Sequence, residues 1–206
     1  SSLESTQSWA RSLTRRARPG PFGPPLESVR ALKALMTRHY LEGRYADGAV
    51  PVAWVTSGFP VELIRPLGFH AVYPENHAAL CGVQRLVPEY AEAAERAGFS
   101  RSLCSYARTD LGSVLLDKTP VGRLPRPDLL LCCTNICQTV LYWYRALADH
   151  FHVPLVLLDT PFIYDALRPH DRTYVRDQLA EVVAAAERVS GKRMDPAELD
   201  RVFALA

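Results

Sequence analysis

The chain alternates short, almost wholly apolar runs with longer stretches in which apolar residues recur every three or four positions. "VPVAWVTSG", "FHAVYP", "DLLLCC" and "VPLVLLDTPF" are the short runs. Such runs, with no polar alternation and turn residues at their ends, are the pattern of strands covered on both faces. The helical patterns are "LESVRALKALMTRHYLEG" from Leu26, a short "PVELIRPLG" opened by Pro60, and "AALCGVQRLVPEYAEAAERAG", read as one helix ending at Gly98. Proline at a first-turn position loses nothing, and glycine is the common left-handed cap. "SVLLDKTPVGRLPRP" reads as a long connection.

After the third apolar run, Val140, Tyr144, Leu147, Ala148 and Phe151 fall on one stripe, the spacing of a core-facing helix. After the fourth, Val175, Leu179, Val182, Ala186 and Val189 mark a long helix closed by Gly191. Asp195 as N-cap and Pro196 in the first turn then begin a last helix. That helix has barely begun where the sequence stops, which suggests the first half of something longer.

Strand and helix in this order predict an α/β fold with a parallel sheet and helices on both faces. A helical N-terminal segment, residues 1–45, precedes the α/β domain of residues 46–206. Within that segment a short polar helix candidate leads into "RPGPFGPP", too rich in Pro and Gly for regular structure.

Composition removes several function classes. With 48% hydrophobic and 22% charged residues in a chain of 206, a sizeable core is expected. A formal net charge of +2 gives no electrostatic case for nucleic acid, and the basic stretch "RSLTRRARPG" reads as a solvated arm. No apolar run is long enough to span a membrane, and the first residues lack the order of a signal peptide. Five cysteines, an odd count with no C-x-x-C pair, do not read as a disulfide framework, a zinc ribbon or a redox motif. They fit a reducing cytoplasm.

Open parallel sheets place their chemistry outside the carboxyl ends of the strands. Four segments stand there. In "TSGFP", Ser57 occupies a turn into a helix, as turn chemistry or as an anion contact. "YPENH" carries Glu75, Asn76 and His77, either as helix capping or as proton carriers. "SLCSYARTDLG" carries Cys104, Arg108 and Asp110, with Arg108 placed to favour a thiolate. "CCTNICQT" crowds Cys132, Cys133 and Cys137 at the joint of strand and helix. There the helix start would favour a thiolate at Cys137, while packing alone accounts for buried cysteine. Spacing leaves these alternatives open.

"TSGFPVEL", "YPENHAALCG", "CSYARTDLG", "LPRPDLLLCCTNICQTVLYWYRALADHFHVPLVLLDTPF" and "VRDQLAEVVAAAERVSGKRMDPAEL" together resemble the catalytic subunits of the benzoyl-CoA reductase and 2-hydroxyacyl-CoA dehydratase family. The likeness runs from about residue 45 to the end, and it looks nearest to a benzoyl-CoA reductase catalytic subunit. It implies two Rossmann-like domains holding a [4Fe–4S] cluster between them by three cysteines, with one iron left open. Residues 46–206 would be the first, binding both cluster and acyl-CoA, and the second is not contained in this sequence. The motifs place cluster ligands at Cys104 and Cys137, and leave Cys81, Cys132 and Cys133 to packing. Ser57 and Glu75 would stand beside the substrate thioester, with His77 a further proton carrier.

The implied activity is ATP-dependent reduction of benzoyl-CoA or a similar aromatic acyl-CoA. Radical dehydration of a 2-hydroxyacyl-CoA is the alternative, as is a reductase with a double-cubane [8Fe–9S] cluster. The implied partners are a homologous catalytic subunit, an ATP-hydrolysing iron–sulfur activator and ferredoxin as electron donor.

Overall fold

The computed structural model describes residue 24 and residues 26–206. The polar helix candidate and the basic stretch predicted near the start lie outside the described residues. Four strands form one parallel sheet: β1 (Val52–Val55), β2 (His70–Val72), β3 (Leu129–Cys133) and β4 (Leu155–Leu158), in the spatial order β2-β1-β3-β4. In register, Ala53 lies opposite Ala71 on one side and Leu129 on the other, and Leu131 pairs with Val156. Seven α-helices are present among the described residues: α1 (Glu27–Gly43), α2 (Pro74–Val83), α3 (Val87–Arg96), α4 (Ser105–Leu115), α5 (Gln138–Phe151), α6 (Pro169–Ser190) and α7 (Pro196–Phe203). A one-turn 3-10 helix spans Val61–Leu63. No helix among the described residues is long and apolar enough to cross a membrane.

The apolar runs form strands because both faces of the central pair are covered. Successive side chains on a strand point to opposite faces, so each run divides between two cores. Ala53, Val55, Leu129, Leu131 and Cys133 face one core, closed by Ile64, Leu67 and Phe69 and by Val182 and Ala186 of α6. Val52, Trp54, Leu130 and Cys132 face the other, closed by Val140, Tyr144 and Leu147 of α5 and by Ala107 and Leu111 of α4. The predicted fold class is the observed one.

Four elements differ from expectation. The short helix expected from Pro60 is only the 3-10 turn Val61–Leu63, with Pro60 as its N-cap. The helix predicted through Gly98 is two helices, α2 and α3, broken where Arg85 takes a left-handed conformation with φ 60°. Pro88, in the first turn of α3, has no N–H to continue the preceding helix. Helix α4 is hidden in a motif rich in Ser, Thr, Asp and Gly, residues that favour caps and turns over helix interiors; its packing against α3 and α2 supplies what propensity does not. Strand β4, expected to be buried, lies at the edge of the sheet, with Leu157 43% exposed.

Helix α1 lies against the other edge, where His39 stacks on His70 with ring centroids 4.9 Å apart. Burial pushes the His70 imidazole down to about 4, and His39 acts in the same direction. Between the ordinary histidine value of 6.5 and about 4, the unfolded chain binds a proton that the folded chain refuses. This contribution to stability is therefore complete above the ordinary value and is lost as pH falls through that window. The stability advantage of the native protein over His70→Gln should shrink across the same interval, as read by urea denaturation in a pH series. A constant difference would remove His70 from the account.

Candidate functional site

The turn after β1 is anchored before it reaches Ser57. Thr56 is fully buried; its Oγ1 accepts from the Cys133 N–H at 3.0 Å and its own N–H donates to Leu131 O at 3.1 Å. These bonds bind the turn to β3. A Cβ at Gly58 would lie 3.6 Å from Asn135 Oδ1 and 3.7 Å from Ile136, so the Ser57 turn runs beside the loop that leads to Cys137. Ser57 itself is exposed.

Helix α2 starts directly after β2, with Pro74 at the first position and Glu75 in the first turn. Glu75 Oε1 accepts from the Ser57 N–H at 3.2 Å, which joins the two predicted substrate-side residues across neighbouring strands. Its Oε2 is buried and has no partner. Burial holds the Glu75 carboxyl above its ordinary range, and Asp110 adds to this. The Ser57 amide and the nearby Tyr144 hydroxyl act against it without cancelling it. A carboxyl so placed retains a proton to higher pH than an exposed one, the property general acid–base work requires.

The five cysteines fall into two groups. Cys81, Cys132 and Cys133 are buried, and burial pushes their thiols up, those of Cys81 and Cys132 to about 12. They pack as the sequence suggested. Cys104 and Cys137 are exposed. They are the N-cap residues of α4 and α5, and neither side chain makes a capping hydrogen bond. Among the described residues no three His, Cys, Asp or Glu side chains are grouped to hold a metal ion. Two exposed sulfurs fit a cluster that takes a further cysteine from elsewhere, since iron–sulfur clusters are held by thiolates. They do not make a complete site.

Other assignments change with the geometry. Among the described residues, no hydrogen bond links Cys104 to Ser57, Glu75 or Cys137. Arg108 is turned to the Glu95 carboxylate and to Leu103 O at 3.1 Å. His77 is fully buried, with Nε2 2.8 Å from Thr119 Oγ1 and Nδ1 3.4 Å from Asp110 Oδ1. Both ring nitrogens are thus engaged inside the protein. Asp110 also accepts from Trp143 Nε1 at 2.9 Å, which makes it the hub of a buried polar network. Thr56 and Tyr144 carry no signal as site residues in the sequence, where a turn threonine and a core tyrosine look ordinary.

The profile of a family described as 2-hydroxyglutaryl-CoA dehydratase, D-component, matches residues 56–206. The chain is 36% identical over 157 residues to the (R)-2-hydroxyisocaproyl-CoA dehydratase alpha subunit of Clostridioides difficile, covering 76% of this chain and 38% of that protein. It is 34% identical to the (R)-phenyllactyl-CoA dehydratase alpha subunit of Clostridium sporogenes, over 75% of this chain and 38% of the relative. One of the benzoyl-CoA reductase subunits of Thauera aromatica is 30% identical over 75% of this chain and 37% of its own length. The chain thus spans well under half the length of these relatives.

Proposed function

The chain belongs to the 2-hydroxyglutaryl-CoA dehydratase D-component family, and we propose that it supplies the acyl-CoA side of a radical 2-hydroxyacyl-CoA dehydratase. The observation that carries this reading is the Ser57–Glu75 contact at the carboxyl edge, beside the loop leading to the exposed Cys137. The sequence alone put benzoyl-CoA reduction first. Relatives named as dehydratases at 36% and 34% identity, against 30% for the reductase subunit, favour dehydration.

Ser57, exposed on its turn, offers a hydroxyl to the thioester carbonyl, while its amide holds Glu75 in place. Glu75 carries the proton that lets the substrate hydroxyl depart as water, since a protonated leaving group is far better than hydroxide. The carboxyl is itself largely buried, which limits its contact with bulk water. Cys104 and Cys137 would hold a [4Fe–4S] cluster together with a cysteine from outside this chain. Such a cluster, when bound, supplies low-potential electron chemistry that amino-acid side chains cannot. A homologous subunit, an ATP-hydrolysing activator and ferredoxin belong to the same proposal.

The test is an anaerobic assay in the assembly with partner subunits, run with a 2-hydroxyacyl-CoA and with benzoyl-CoA and paired with iron analysis. Formation of the unsaturated acyl-CoA is expected; ring reduction instead would restore the reductase reading. Glu75→Gln should keep iron while turnover falls about 100-fold or more. Cys104→Ser and Cys137→Ser should each lose iron, and Cys132→Ala should keep it. Retention of iron by both serine variants would overturn the ligand assignment. Iron near twice that of one cubane would indicate the double-cubane alternative.

A further inference from the structure

Two buried oxygens beside the proposed site are left without partners: Oε2 of Glu75 and the hydroxyl of Tyr144. Buried polar atoms are almost always hydrogen-bonded, so an orphan calls for an explanation. These two share a neighbourhood. The ionisable groups facing the Tyr144 phenol are Glu75, Asp110, Cys132 and Cys133, and the phenol in turn acts on the Glu75 carboxyl. Glu75 Oε1 accepts from the Ser57 amide, and Oε2 is the oxygen left without a partner.

Packing does not explain the hydroxyl. Tyr144 is wholly buried on α5 in the apolar core with Val140, Trp143 and Leu147, where a phenylalanine would fill the same space. Burial also pushes the phenol far above its ordinary range, so it stays protonated whatever happens next to it. A neutral phenol has one donor and acceptor capacity as well. It can donate to a carboxylate and accept from a carboxylic acid without losing its own proton.

We propose that Tyr144 is the positioning residue for Glu75, its hydroxyl donating to Oε2 when the carboxyl is ionised and accepting from Oε2–H when it is protonated. The phenol then holds the carboxyl in one orientation through the gain and loss of a proton, while Ser57 holds the other oxygen. This rests on the reading of Glu75 as a proton carrier. A further buried orphan among the described residues, the Tyr90 hydroxyl, has Cys81 and Glu89 as its ionisable neighbours and takes no part.

The experiment follows Glu75 by carbon-13 NMR of labelled glutamate carboxyls in a pH titration of the full chain. Tyr144→Phe removes one oxygen and its donor, so the Glu75 midpoint should rise by about half a pH unit or more. Tyr90→Phe, an equal deletion elsewhere, should leave the midpoint in place. An unchanged midpoint in a Tyr144→Phe protein with native circular dichroism would overturn the proposal, as would an equal shift in Tyr90→Phe. Should Tyr144→Phe not fold, the coupling is read from the other side: Glu75→Gln must move the Tyr144 ring-carbon resonance of the native chain, and a resonance that stays put refutes it. If Glu75→Gln retained full turnover in the assembly while the titrations remained coupled, the proton-carrier reading would fall and the Tyr144–Glu75 pair would stand.

Discussion

Gly112→Ala should unfold or severely destabilise the protein, although it exchanges the poorest ordinary helix former for the best. Gly112 is buried within α4, and a Cβ there would lie 1.8 Å from Tyr90 O and 2.5 Å from Tyr90 C. Both atoms belong to the backbone of α3, so no side chain can swing aside. The two helices would have to separate, opening the core that holds Ala94, Ala107 and Leu111. Overpacking costs typically about 1–3 kcal/mol, and a backbone collision belongs at or above the upper end. Gly82→Ala is the control. Its Cβ would meet only Val87 Cγ2 at 3.9 Å, so the gain in helix propensity, up to about 1 kcal/mol, should survive. Urea midpoints of the two variants should therefore move in opposite directions. Equal midpoints would show that α3 and α4 do not approach as closely as the structure has them.

The second large effect is expected at Asp110. Its carboxylate is fully buried and accepts from Trp143 Nε1 at 2.9 Å and from His77 Nδ1 at the longer distance of 3.4 Å. With an accepting carboxylate on one side, the hydrogen-bond pattern assigns the donor role to His77 Nδ1 and the acceptor role, toward the Thr119 hydroxyl at 2.8 Å, to Nε2. Asp110→Ala would strand the indole N–H and the imidazole N–H in the core. Each buried donor left without its acceptor costs about 1–3 kcal/mol. Asp110→Asn keeps an acceptor for one of the two and should lose markedly less. Denaturation of both variants checks the order, and the Trp143 indole proton resonance should shift in each. An alanine variant as stable as the native protein would mean that the network is not closed as described.

Gly112 and Asp110 sit in "SYARTDLGSVL", which has no strong helical pattern and gave no reason to expect close packing. The glycine matters because another backbone passes next to it, and the aspartate because two donors from distant segments converge on it. Neither fact has a local signature. His77 shows the reverse case. Its position after a strand suggested a role at the edge, yet its ring points inward to Thr119 and Asp110.

What the sequence determined by itself is the α/β class, the parallel sheet, the first helix and the last three, and the family. All of these follow from periodicity, turn residues or ordered motifs, which are properties of neighbouring positions. The family motifs also pointed to Ser57 and Glu75, but only the tertiary structure set the Ser57 amide 3.2 Å from Glu75 Oε1. It alone put β4 at the edge, broke a predicted helix at Arg85 and left Glu75 Oε2 and the Tyr144 hydroxyl buried without partners. The physical reason is the range of the forces involved. Backbone preference and hydrophobic period act over a few residues, whereas desolvation of a carboxyl or a backbone collision depends on which distant segments the fold brings together.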